Sequence, residues 1–313
     1  MPVANHEGSL VSIPGLSGFF THTLDGTLNY GAAYPNTPNS ASGIILAQAI
    51  QSVSITQNVN AEPLPVIGHV GHAGWGKRAG TVDVQIEAVL TSGYPLGKRL
   101  TDYEADIPGN LTLDTTDGQT LNAVGRRALV SGMAITSIAF NFAQNANSTL
   151  SVGLIGEGTT WFPLTSPVGM DIDIEHAPLT WDTVDLSCPV AGLIRLSGIQ
   201  TATFSATLNR DQIFEVGTFD AIDKPVTHPN NVSVSLEALA NSVVIQSWLD
   251  KFVSNFDVTN SANLVTAKVR RQGNATADWI VASGLHPTAA TLNAATGSNS
   301  MLSLSFTGTS LEF

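Results

Sequence analysis

The chain has 313 residues, a net charge of −12 and 12% charged side chains, about half the usual share of roughly 25%. Low charge with 43% hydrophobic residues excludes a disordered chain, which needs high charge and low hydrophobicity. The acidic balance also disfavours tight phosphate binding: the basic residues gather only as the pairs Lys77-Arg78, Lys98-Arg99, Arg126-Arg127 and Arg270-Arg271, too short for a nucleic-acid footprint.

Residues 1–42 are rich in Gly, Pro and Asn ("GAAYPNTPNSASG") and read as an extended arm. Residues 43–162 follow as a first module. Apolar and polar residues alternate from Ile50 through Val53 and Ile55 to a polar tip, and the chain then returns to Gly68. That pattern predicts a hairpin. A Gly-rich loop, 69–80, precedes a strand with Val82, Val84 and Ile86 on one face. Residues 94–105 keep Leu96, Leu100 and Tyr103 at helical spacing. A second hairpin alternates through Ile138, Phe140 and Phe142, then Leu150, Val152 and Leu154.

The connector, 163–191, holds four prolines and is too apolar for a flexible linker, so it is expected to pack. Residues 192–313 then repeat the first module. Gly43–Gly68 aligns with Gly192–Gly217 at an offset of 149, Thr81–Ser92 with Asn231–Ser242 at 150, and Ser131–Gly158 with Ser283–Ser310 at 152, all without gaps. The second module contains the clearest helical pattern: Ile245, Trp248, Leu249, Phe252 and Phe256 share one face of residues 241–257. The fold class expected is therefore mainly β, with two tandem homologous β-sandwich or half-barrel modules, each flanked by one helix.

Sites of chemistry are scarce. His69 and His72 form the only local histidine pair, and zinc would need two further ligands. Asp171, Asp173 and Glu175 share a strand face without the tight glycine turn calcium prefers. Neither a nucleophile elbow nor a phosphate-binding loop occurs. The reading is a non-enzyme with no catalytic residues, cofactor or metal. Glu62 and Asp211 are equivalent acids at the tips of the first hairpin, and Glu87 and Glu237 are equivalent acids within strands. The single Cys188 fits a reducing compartment. No leader pattern and no apolar run of membrane-spanning length is present.

The duplicated hairpins, Ile50–Gly68 with Ile199–Gly217 and Ala134–Gly156 with His286–Gly308, resemble those of the tail tube proteins of long-tailed bacteriophages, in their duplicated form. The ring proteins of type VI secretion needles look similar. The resemblance implies a structural virion protein, assembled in the host cytoplasm, whose modules line a lumen through which DNA passes. Two modules per chain would let a trimer imitate a hexameric ring. Partners implied are further copies of the chain, the terminator, baseplate or tip and tape measure proteins, and transient DNA, with no membrane insertion. Loops 69–80 and 218–230 correspond to the family's long loop, which reaches a neighbouring subunit or ring. That reading selects His69, Trp75, Lys77 and Arg78 in one module and Phe219, Asp220, Asp223 and Lys224 in the other, with Glu62 and Asp211 facing the lumen. The competing class is a receptor-binding or capsid-decorating β-sandwich.

Overall fold

The computed structural model of the chain describes residues 9–12, 50–58, 61–65, 72–77, 80–90, 100, 111–115, 125–164, 179–180, 184–187, 198–216, 221–239, 265–271, 278–294 and 300–313. These residues are mainly β. In chain order the strands are β1 (Ser9–Ser12), β2 (Ile50–Asn58), β3 (Ala61–Pro65), β4 (His72–Lys77), β5 (Thr81–Val89), β6 (Leu111–Thr115) and β7 (Gly125–Ser131). Then come β8 (Ala134–Ala143), β9 (Thr149–Gly156), β10 (Gly158–Leu164), β11 (Val184–Ser187), β12 (Ile199–Thr207), β13 (Ile213–Phe214) and β14 (Ala221–Asp223). The last are β15 (Asn231–Leu239), β16 (Val265–Arg271), β17 (Asp278–Asn293), β18 (Met301–Gly308) and β19 (Ser310–Glu312). Both helical stretches, 94–105 and 241–257, lie outside the described residues apart from Leu100, which is buried.

The molecule is organised by one open antiparallel sheet, which contains the consecutive run β2-β5-β9-β8-β12-β15-β18-β17. The order of its first four strands recurs in the next four, and so do the irregularities. Between β2 and β5 the pairing slips after Ile50↔Ala88 and resumes at Ser52↔Glu87; between β12 and β15 it slips after Ile199↔Ala238 and resumes at Thr201↔Glu237. The β8–β9 register shifts between Ile135 and Ser137, and the β17–β18 register between Pro287 and Ala289. A bulge leaves one residue unpaired, disrupts the ladder locally and re-aims the side chains beside it.

Period-two patterning explains the two faces. In β5, Val82, Val84, Ile86 and Ala88 are buried while Asp83, Gln85 and Glu87 are exposed. The inward residues of β5, β9, β8, β12, β15 and β18 form one core, anchored by Phe140, Phe142, Phe204 and Phe306, with Ile50, Val53 and Ile55 of β2 and Ala290 of β17 packed against it half-buried, each phenylalanine burial contributing about 2–3 kcal/mol. Phe142 and Phe204 meet edge to face at 6.1 Å across the junction of β8 with β12.

A smaller sheet, β1-β6-β7-β10, completes the first half; β11, β16, the front of β17 and β19 make the corresponding arrangement in the second. The corner between layers is a glycine. Gly132 (φ 56°) separates β7 from β8, and Gly284 (φ 64°) lies within the long β17. An added Cβ would strike Glu157 at the first and Thr309 at the second, so both positions need glycine for backbone and for space. The connector does pack where it is described: Leu179 is buried, receives a bond from Ser148 N and gives one to Leu90 O, each 2.8 Å.

One expected element is corrected. The alternation over Ile50–Gly68, and over the matching Ile199–Gly217, predicts a strand that returns on itself as a hairpin. Instead β12 pairs with β15 and β8, leaving neither edge for a returning segment. The chain moves off into a separate short hairpin, β13–β14, as it does in β3–β4. Arg210 is an anchored corner: Nε donates to Ile135 O and one terminal nitrogen to Lys224 O, both at 2.7 Å.

Candidate functional site: a polar face, a seam and two free edges

The outward face of the eight-strand run is built almost wholly from Ser, Thr, Asn and Gln, and none of the eight strands contains Lys or Arg. Its carboxylates are Asp83, Glu87 and Glu237. Ser52 Oγ donates to Glu87 and Thr201 Oγ1 donates to Glu237, each at 3.1 Å, an equivalent pair in each half. Asn58 Nδ2 donates to Asp83 at 2.9 Å. Thr203 Oγ1 donates to Asn141 at 3.0 Å, and Ser205 and Ser233 share a 2.7 Å bond. These bonds satisfy one polar side chain with another across neighbouring strands. The face is hydroxyl-rich and weakly acidic, and its eight strands offer no Lys or Arg to grip a phosphate.

The seam between halves is the β8–β12 ladder, from Ser137↔Thr207 to Ala143↔Thr201. Backbone bonds at its ends, Leu208 N to Thr136 O and Gln144 N to Gln200 O, close it at 2.8 Å each. Two further contacts cross it. Lys224, wholly buried, places Nζ 2.7 Å from Glu157 Oε1, and the ring of Phe313 packs against Phe140 with centroids 5.3 Å apart.

Strands β2 and β12 have matching neighbours on one side, β5 and β15, while on the other side β12 alone has a partner, β8, among the described residues. Strand β2 pairs with β5, and the rear half of β17, His286–Asn293, pairs with β18, so among the described residues their outer backbone groups meet no other strand and form the two edges of the run. Exposure follows. Ile199, Ala202, Phe204 and Ala206 of β12 are buried, whereas Ile50, Val53 and Ile55 of β2 are half-buried and Gln57 is exposed. Long unpaired edges are templates for another strand.

No protein-family model matches the chain, and no curated protein matches it in sequence. The site therefore rests on its own residues.

Of the residues selected from sequence, His69, Arg78, Phe219 and Asp220 lie outside the described residues. Trp75 and Lys77 are in β4 and Glu62 in β3, with Glu62 opposite Gly76, Pro63 opposite Trp75 and Ala61 opposite Lys77. Asp223 is exposed in β14, and its carboxylate accepts the Lys224 N–H at 2.8 Å. Lys224, expected to reach a neighbouring subunit or ring, is instead spent inside the chain on Glu157, because β14 folds back over the seam. Asp211, expected to face the lumen, lies beyond the end of β12, where it accepts a 2.9 Å bond from Thr227 Oγ1. The strand acids Glu87 and Glu237 do occupy the polar face.

Sequence reasoning missed the apolar skin of the β13–β14 hairpin. Ile213, Phe214, Val216 and Ile222 are all exposed there. The signal available in the sequence was the run "IFEV", residues 213–216, with three large apolar side chains in four positions. It also missed Trp161 and Leu292, exposed by 54% and 45%. Among the described residues no group of three or more His, Cys, Asp or Glu gathers.

Proposed function

We propose that this chain is the building block of a hollow protein tube, similar to a phage tail tube, in which its two halves are copies of one module and its polar sheet face lines a channel for DNA. The observation that carries this reading is the β8–β12 seam. The halves join head to tail in one continuous sheet, and among the described residues the run ends in one unpaired edge of each kind, on β2 and on His286–Asn293 of β17. A head-to-tail contact repeated by a rotation that divides the full circle closes into a ring. With two modules per chain, a trimer would supply six equivalent sectors.

The polar face suits a channel wall. DNA must slide, and hydroxyls with scattered carboxylates offer it no counterion-releasing contacts. Closure also removes the edges that would otherwise promote uncontrolled aggregation. The exposed β13–β14 hairpin, with Ile213, Phe214 and Ile222, is assigned to contact between stacked rings.

Negative-stain imaging of the purified chain tests the proposal. Rings or filaments with an open centre are expected. Discrete monomers at high protein concentration would refute it and favour a receptor-binding or capsid-decorating sandwich.

A further inference from the structure

We infer that the β17 edge of one copy pairs antiparallel with the β2 edge of a second copy, in the register already used at the internal seam, with Trp161 of the second copy seated over Leu292 of the first. The inference rests on the ring reading above and names its contact.

The template is within the chain. Strand β8 stands to β17's rear half as β2 stands to β12, in strand order, in ladder partners and in bulge position. Carrying the β8–β12 ladder to the free edges pairs Asn58 with Ala289, Gln57 with Ala290, Thr56 with Thr291, Ile55 with Leu292, Ser54 with Asn293 and Val53 with Ala294. Ser54 and Asn293 then inherit the hydroxyl–amide bond that Thr203 makes to Asn141. Ile55 and Leu292 inherit the places of Phe204 and Phe140.

Two exposed side chains support the same contact independently. At the internal seam Phe140 is covered by Phe313. The residue equivalent to Phe140 is Leu292. Phe313 follows β19, whose pairing Ser310↔Ser283 matches Gly158↔Ser131 of β10, and this makes Trp161 its equivalent. Both members of the buried pair thus have counterparts that are bare in the single chain, 45% and 54% exposed. One intermolecular contact covers both. Nothing at the external seam repeats the Lys224–Glu157 pair, because Thr309 occupies the position of Glu157. The internal and external seams are therefore chemically distinct.

Cysteine cross-linking tests the register. The backbone bonds Leu208 N to Thr136 O and Gln144 N to Gln200 O set the alternation, which makes Asn141–Thr203, and hence Asn293–Ser54, a non-hydrogen-bonded pair. Such pairs bring Cα atoms to about 4.5 Å, within disulfide range. With Cys188→Ser as background, S54C chains and N293C chains are prepared separately, checked for unchanged melting, mixed and mildly oxidised. Linked dimers of unlike chains are expected, forming at least about tenfold faster than from S54C with T291C, which is out of register. Chains carrying both S54C and N293C are expected to give a ladder that ends at a closed oligomer. Absence of unlike-chain links, or equal rates in and out of register, would overturn the pairing. Links formed without hollow particles would keep the pairing and refute the tube; hollow tubes without links would keep the tube and refute the pairing.

Discussion

The Lys224 ammonium lies 2.7 Å from the Glu157 carboxylate, joining a hairpin of the second half to the corner of the first. The lysine side chain is fully buried while the glutamate keeps 29% of its exposure. Deleting one partner of a buried pair strands the other charge in the interior. Glu157→Ala is expected to lower the unfolding free energy by about 2–4 kcal/mol, the solvent-facing side of the glutamate reducing the full cost. Adding Lys224→Met removes the stranded charge and is expected to recover much of that loss. Urea titration of both variants checks it, and equal stability of single and double variants would contradict it.

The glycine corners give a second prediction. A left-handed conformation costs an L-residue about 1–2 kcal/mol, so Gly132→Ala and Gly284→Ala are both expected to destabilise by at least that amount. Gly132→Ala should be the worse, because its methyl displaces the Glu157 carboxylate that Lys224 holds, whereas Gly284 faces Thr309. In a Glu157→Ala background the gap between the two substitutions should shrink. A double-mutant cycle by thermal or urea unfolding reads the coupling.

Gln57 is exposed on β2, and by analogy with Ala206 its N–H points away from β5. Proline is tolerated at an edge where the N–H faces solvent. Gln57→Pro is expected to fold with little change in melting, yet fail to assemble, as measured by light scattering and sedimentation. Assembly of normal size would remove β2 from the interface.

Replacing Glu87 and Glu237 by Lys would turn the polar face basic at equivalent places in each half. The parent assembly is expected to retain DNA weakly at physiological salt, and the double variant to retain it strongly, with affinity falling steeply as salt rises. Filter binding across a salt series measures this. Unchanged retention would separate this face from any DNA path.

Phe214→Asp with Ile222→Asp places charge on the apolar hairpin skin and is expected to leave rings intact but unstacked. Lys77→Glu with Arg78→Glu, on the corresponding loop of the first half, is expected to abolish long tubes as well. Electron microscopy distinguishes single rings from filaments, and full-length tubes from either variant would remove that loop from stacking.

Alternation by itself picked out the strands around Val53, Val82, Ile138 and Leu150 and which of their residues face the core: Val82, Val84, Ile86, Phe140, Val152 and Leu154 all lie where period two puts them. That pattern is local, since successive side chains of a strand point to opposite sides whatever lies beside it. Partner choice is not local. Both hairpins beginning at Ile50 and Ile199 were misjudged because a strand's neighbours are set by contacts far away in sequence, here Phe140 against Phe204 and Arg210 against Ile135. Only tertiary structure sent Lys224 inward to Glu157 and left Trp161 and Leu292 bare, because a charge or an apolar ring is buried or exposed according to what the rest of the chain brings against it.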